Sequence, residues 1–172
     1  ILIERKYIND PFEVSFKREK VTVGSVPYFG LLENNVGYVK LRSFTRNCSN
    51  DLKNAILKLK EQGATSLILD LRGNPGGLLN ESVKIANFFV NQGEDIVSTK
   101  GKIKSWEKVY TATSKPIDTE IPLVVLIDQS SASASEIVSG SLQDLDRAVI
   151  VGKRSFGKGL VQQTRKLSYN SQ

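Results

Sequence analysis

Histidine is absent from the 172 residues, and its absence removes Ser-His-Asp and Cys-His catalysis together. The usual histidine-rich zinc and non-haem iron sites go with it. A hydrolase built on this chain must draw its base from Lys, Asp, Glu or a terminal amine. Methionine is also absent and the chain opens on Ile1, so it is expected to be a piece of a longer protein. The single cysteine, Cys48, has no partner for an internal disulfide. No apolar run reaches the roughly 18 residues of a membrane span, and no signal-peptide pattern is present. There is no basic stripe either. The 24 Lys and Arg against 18 Asp and Glu give a net charge of +6, but they are scattered, which argues against nucleic acid as a partner. What remains is ordinary globular usage, 40% hydrophobic and 24% charged, enough for one packed domain.

Residues 1–23 alternate like strands, with Ile1 and Ile3, then Phe12, Val14 and Phe16, then Val21 and Val23. Asn9-Asp10-Pro11 marks a turn between the first two. A linker is expected over residues 24–35. From Val36 the texture becomes α/β. Residues 37–41 predict a strand, and Leu52, Ala55, Ile56 and Leu59 recur at helical spacing. Ser49 or Asn50 is placed to cap that helix and Gly63 to stop it. Residues 66–71 (SLILDL), 122–127 (PLVVLI) and 148–151 (AVIV) predict strands buried on both faces. Val83, Ile85, Ala86, Phe89 and Val90 predict a second helix, and Ile137, Val138, Ser141 and Leu142 a third. Residues 96–99 and 108–111 predict strands flanking a loop, and residues 160–167 a final strand. Strands alternating with helices call for a mainly parallel sheet.

Three segments could carry chemistry. Residues 128–136, DQSSASASE, place several hydroxyls between a buried strand and a helix, at the sheet edge where α/β proteins bind ligands. A serine on the first helical turn has amide N–H groups nearby for a developing anion. The same residues from Ser133 to Glu136 also fit the S-x-x-E capping box, so Ser133 is either a cap or a nucleophile. Residues 152–159, GKRSFGKG, approach a P-loop. Gly159 stands where Ser or Thr must hold magnesium, and residues 160–164 favour a strand over a helix, which excludes the nucleotide reading. Lys158 between Gly157 and Gly159 is then a solvated loop lysine or a desolvated base, since burial lowers a lysine pKa. In residues 70–77, DLRGNPGG, the glycines serve a tight turn or expose N–H groups as an oxyanion hole.

In this order and spacing, GYVKLRSF, LILDLRGNPGG, SSASASEIVSGSLQD and AVIVGKRSFGKGLVQ closely resemble the carboxy-terminal processing (tail-specific) serine peptidases. The resemblance implies an α/β catalytic core related to the ClpP and crotonase architecture, with a mainly parallel sheet flanked by helices. It implies Ser133 as nucleophile, Lys158 as general base, Gln162 positioning that lysine, and Asp144 as a further catalytic aspartate. The implied oxyanion donors are the amide of Ala134 and of Gly76 or Gly77. Residues 1–23 resemble the last strands of a truncated PDZ domain, with the peptidase core over residues 36–172, C-terminally truncated. The implied function is a serine endopeptidase cleaving proteins near their C-termini, without cofactor or metal. Its partners are protein or peptide substrates held by their C-terminal region, with room for a homo-oligomer, and its setting is extracytoplasmic. Two other classes stay open: a non-catalytic peptide-binding scaffold, and a crotonase-type acyl-CoA enzyme, which shares the fold without needing F-G-K-G.

Overall fold

The computed structural model describes residues 1–8, 10–19 and 24–162. At the start of the chain β1 (Leu2–Ile3) pairs antiparallel with β2 (Phe12–Glu13). The strand expected at Val21 and Val23 lies outside the described residues. β3 (Tyr28–Leu31) pairs antiparallel with β4 (Val36–Lys40) in the register Tyr28↔Lys40 to Leu31↔Gly37. This corrects the linker expected over residues 24–35. Tyr28, Phe29 and Leu31 are good strand formers, and Phe29 packs on the core, so the segment joins the sheet rather than bridging to it.

Beyond β4 the chain alternates. α1 (Cys48–Glu61) leads to β5 (Ser66–Asp70), and α2 (Leu79–Ala86) to a separate hairpin of β6 (Asp95–Thr99) and β7 (Lys108–Thr111). β8 (Leu123–Ile127), α3 (Ala134–Asp144) and β9 (Val149–Gly152) complete the described elements. The main sheet runs β3-β4-β5-β8-β9, with β4, β5, β8 and β9 mutually parallel. Leu67, Leu69, Leu123 and Val125 on its two central strands are buried. The helices contact one another in the order α1, α2, α3.

Leu52, Ala55, Ile56 and Leu59 form the buried stripe of α1, as their spacing predicts. The cap differs. Neither Ser49 nor Asn50 caps the helix; Asn47 does so in a left-handed conformation without a side-chain bond. Glu81 from α2 supplies the missing acceptor, taking the Ser49 N–H at 2.9 Å, so one helix carries the carboxylate that satisfies another's N-terminus. β9 also departs from expectation. Among the described strands it is the last of the sheet, paired with β8, with Val149 63% and Val151 46% exposed, so an apolar run marked a strand without marking its place among them. Residues 160–162 carry no strand, and residues 163–167 lie outside the described set.

Three buried or half-buried carboxylates make the fold sensitive to acid. Asp70 is fully buried at the end of β5. Burial pushes its carboxyl upward, but Arg72, the Tyr38 hydroxyl (2.5 Å) and Lys40 outweigh that and hold it well below the usual range. Burial likewise opposes ionisation of Glu81 and Asp118, and hydrogen bonds from Lys84 and Lys60 respectively bring each to about 2. A carboxyl whose folded pKa lies below its unfolded one stabilises fully above the unfolded value and loses that contribution as pH falls through the folded one. Stability to urea should therefore hold from neutral pH to about 4.5 and drop steeply toward pH 2. A flat profile over that window would show that these bonds contribute nothing net.

Candidate active site

β5 and β8 are parallel neighbours, so their carboxyl ends deliver residues 71–78 and 128–133 to one place. Buried polar residues tie the two loops together. The Asn74 side chain donates from Nδ2 to the Leu41 carbonyl (2.9 Å) and accepts the Gly76 N–H (2.9 Å). The Asn74 backbone carbonyl accepts the Ala132 N–H (3.1 Å) and the Ser135 hydroxyl (2.9 Å). Ser131 donates its hydroxyl to the Leu71 carbonyl (2.8 Å) and accepts the Asp128 N–H (2.9 Å). Asp128 accepts the amides of Gly73 (3.0 Å) and Ser130 (2.9 Å). Asn74, Ser131 and Ser135 are fully buried, so each lost bond leaves a polar group dry. Replacing Asn74 with Ala should cost roughly 2–4 kcal/mol, one or two unsatisfied groups at about 1–3 each. Equilibrium unfolding checks this, and an unchanged midpoint would mean Asn74 does not hold the loops.

Ser133 sits at the N-cap of α3 with φ 57° and ψ −113°, a sparsely populated conformation for a residue with a side chain. The Glu136 half of the capping box forms, with Oε2 accepting the Ser133 N–H at 2.8 Å, while the Ser133 side chain makes no cap hydrogen bond. Cap and candidate nucleophile coexist, because half-buried Ser133 also lines a cleft of about 1080 Å³. The strain places the residue at the cleft rather than inside the helix.

The glycine turn presses against this residue. A Cβ added at Gly76 (φ 96°) would lie 2.5 Å from the Ala132 carbonyl oxygen and 2.8 Å from Ser133 Cβ. The Gly76 amide is already taken by Asn74. Gly77 lines the cleft, and its amide, like that of Ala134, has no acceptor among the described residues. Of the glycine pair, Gly77 therefore presents the unused donor, and Gly76 provides the close approach.

Lys158 and Gln162 line the same cleft. Lys158 is half-buried, and its Nζ donates to Gln162 Oε1 at 3.3 Å rather than to the Ser133 hydroxyl. Asp144 lines the cleft too, but it lies eleven residues along α3 from Ser133, about 16 Å at ~1.5 Å per residue. It shares the cleft without reaching the nucleophile. Glu136 was legible only as a capping-box member. Its carboxylate also accepts the Ser155 hydroxyl (2.8 Å) and the amides of Gly157 (2.6 Å) and Lys158 (3.1 Å). Among the described residues no group of three or more His, Cys, Asp or Glu is placed to hold a metal ion.

A strained serine, a lysine and two amides without an acceptor among the described residues line one cleft at the carboxyl edge of an α/β sheet, the residue types that define a serine-hydrolase class of site. Comparison with known proteins narrows the class: peptidase family S41 matches residues 35–172, and the chain belongs to that family. A "Probable CtpA-like serine protease" of Staphylococcus epidermidis is 41% identical over 160 residues, 92% of this chain and 32% of that protein. The chain thus spans about a third of the length of the curated relatives it matches. The photosystem II D1 C-terminal processing protease has a similar structure, with a TM-score of 0.74 and 35% identity over 88% of this chain and 42% of that one. A lipoprotein from Streptococcus agalactiae, at 19% identity and a TM-score of 0.67 over 83% of this chain and 54% of that one, shares the fold alone.

Proposed function

We propose that the protein containing this chain is a serine endopeptidase that cleaves protein substrates near their C-termini with a Ser133–Lys158 dyad. The observation that carries this reading is one cleft lined by Ser133, by Lys158 and by the unused amides of Gly77 and Ala134. Ser133 Oγ attacks the peptide carbonyl while the neutral Lys158 amine accepts its proton. The amides of Gly77 and Ala134 receive the oxyanion. Lys158 then returns the proton to the leaving amine as the C–N bond breaks. Water, deprotonated by the same lysine, hydrolyses the acyl-enzyme and restores Ser133. Gln162 orients the amine through the bond already in place. Asp144, too distant for proton transfer, serves the cleft wall. Cleavage near the C-terminus rests on the similarity to a C-terminal processing protease and on the motifs of residues 37–44, 67–77, 130–144 and 148–162.

Residues 1–23 are proposed as the end of a PDZ domain, and the setting as extracytoplasmic. Among the described residues no helix is long and apolar enough to cross a membrane. One observation favours a second reading, a non-catalytic peptide-binding scaffold: the lysine amine bonds to Gln162, not to Ser133. Incubating the intact protein with an unstructured protein that ends in an apolar tail separates the two. Cleavage that Ser133→Ala abolishes supports the peptidase; equal cleavage by both forms refutes Ser133 as nucleophile.

A further inference from the structure

Glu136 carries four hydrogen bonds on one carboxylate, and only one of them belongs to the helix cap. Oε2 accepts the Ser133 N–H (2.8 Å) and the Lys158 N–H (3.1 Å), and Oε1 accepts the Ser155 hydroxyl (2.8 Å) and the Gly157 N–H (2.6 Å). A carboxylate has about four acceptor sites, so the group is saturated. We propose that Glu136 is a positioning residue that clamps the base-bearing loop, residues 155–158, onto the turn bearing Ser133. The proposal rests on the peptidase reading for its consequence in catalysis, but not for the clamp itself.

Among the described residues the loop has little else to hold it. Phe156 is 66% exposed. A side-chain carbon added at Gly157 or Gly159 would meet nothing within 4 Å. The Phe156 N–H donates to the Ser131 carbonyl at 3.0 Å, a single neutral bond, whereas three bonds to an ionised acceptor tie residues 155, 157 and 158. Charge-assisted bonds are roughly twice as strong as neutral ones. Burial opposes ionisation of Glu136, but bonds from Ser155 and the amides of Lys158, Ser133 and Gly157 outweigh it and keep the carboxyl below the usual glutamate range. The same oxygen, Oε2, touches the backbone of the nucleophile and of the base. Moving one therefore moves the other, and the separation of Ser133 and Lys158 is set through this side chain. Glutamine at this position has one acceptor oxygen in place of two and no charge, so it cannot reproduce the four bonds.

The intact protein, its Glu136→Gln and Ser155→Ala variants, and the double variant distinguish the clamp from an ordinary cap. Amide hydrogen exchange of residues 155–159 should accelerate about tenfold or more in Glu136→Gln, for the loss of bonds near 1.4 kcal/mol or above. Peptidase kcat should fall about 10–100-fold with KM within about twofold. Ser155→Ala, which leaves the helix cap untouched, should lower kcat without changing the melting temperature. Added to Glu136→Gln, it should lower kcat little further, since the Ser155 bond is one of those the clamp has already lost. The clamp is overturned if exchange at residues 157 and 158 is unchanged in Glu136→Gln, or if Ser155→Ala retains full kcat. Exchange needs no activity. A wild type that cleaves nothing therefore refutes the peptidase reading, while the exchange result still decides the clamp.

Discussion

Replacing Lys158 with alanine will lower kcat by about a thousandfold or more, equivalent to roughly 4 kcal/mol of transition-state stabilisation. KM will change little, because the lysine acts on the reacting proton rather than on the bulk of the substrate. With no histidine in these 172 residues, Asp144 about 16 Å along α3 and the Glu136 carboxylate occupied by four hydrogen bonds, no neighbouring group is free to take over the proton. Lys158→Arg is the more informative change. Arginine keeps the positive charge and much of the length, but a guanidinium is not deprotonated in proteins. If Lys158 acts as a base, the arginine variant will be as inactive as the alanine one. If it acts only as a positive charge near the oxyanion, arginine will restore much of the rate. Rates with a quenched-fluorescence peptide, measured at saturating substrate, decide between them.

The second large effect is expected at Gly76, where no side chain belongs to the chemistry and yet none can be added. Gly76→Ala meets two penalties. Its φ of 96° disfavours any L side chain, at on the order of 1–2 kcal/mol. The new Cβ would also stand 2.5 Å from the Ala132 carbonyl and 2.9 Å from the Ala134 amide. Those atoms are backbone, so relief requires residues 132–134 to shift away from the glycine turn. The Ala134 amide would then move relative to the Gly77 amide, disrupting the proposed pair of oxyanion donors. Loss of a single oxyanion donor costs about 10²–10³ in kcat, so the expected loss is at least a hundredfold, with a melting temperature several degrees lower. A variant that melts earlier but keeps its kcat would show that the two amides are not the oxyanion donors.

Much of this was legible in the chain because the relevant signals are local. Periodicity placed the strands at residues 36–40, 66–70 and 123–127 within a residue or two, and the missing histidine directed attention to Lys158. Ser133 was ambiguous between cap and nucleophile for a physical reason: both roles require a hydroxyl residue at a helix N-terminus beside free amides. Which of Gly76 and Gly77 keeps an open amide was out of reach, since it turns on which amide Asn74 occupies, a contact made only once the turn is folded. The linker expected over residues 24–35 failed for a similar reason, because the pairing of Tyr28–Leu31 with β4 depends on a partner. Place in the sheet was equally hidden. The apolar run of residues 148–151 looks like that of β8, and only the order of the described strands sets Val149 and Val151 at the end of the sheet. The clamp at Glu136 spans 19 to 22 residues of sequence and imitates a cap at short range, so its longer reach left no sign in the spacing.

The most direct test of the central claim is covalent labelling of the intact protein with a serine-reactive fluorophosphonate, with the modified residue located by peptide mass spectrometry. The account predicts stoichiometric modification at Ser133, reduced on the order of a hundredfold or more in rate in Lys158→Ala. Ser130, Ser131 and Ser135 should remain unlabelled. Modification at one of those serines, or labelling of Ser133 at the same rate without Lys158, would contradict it.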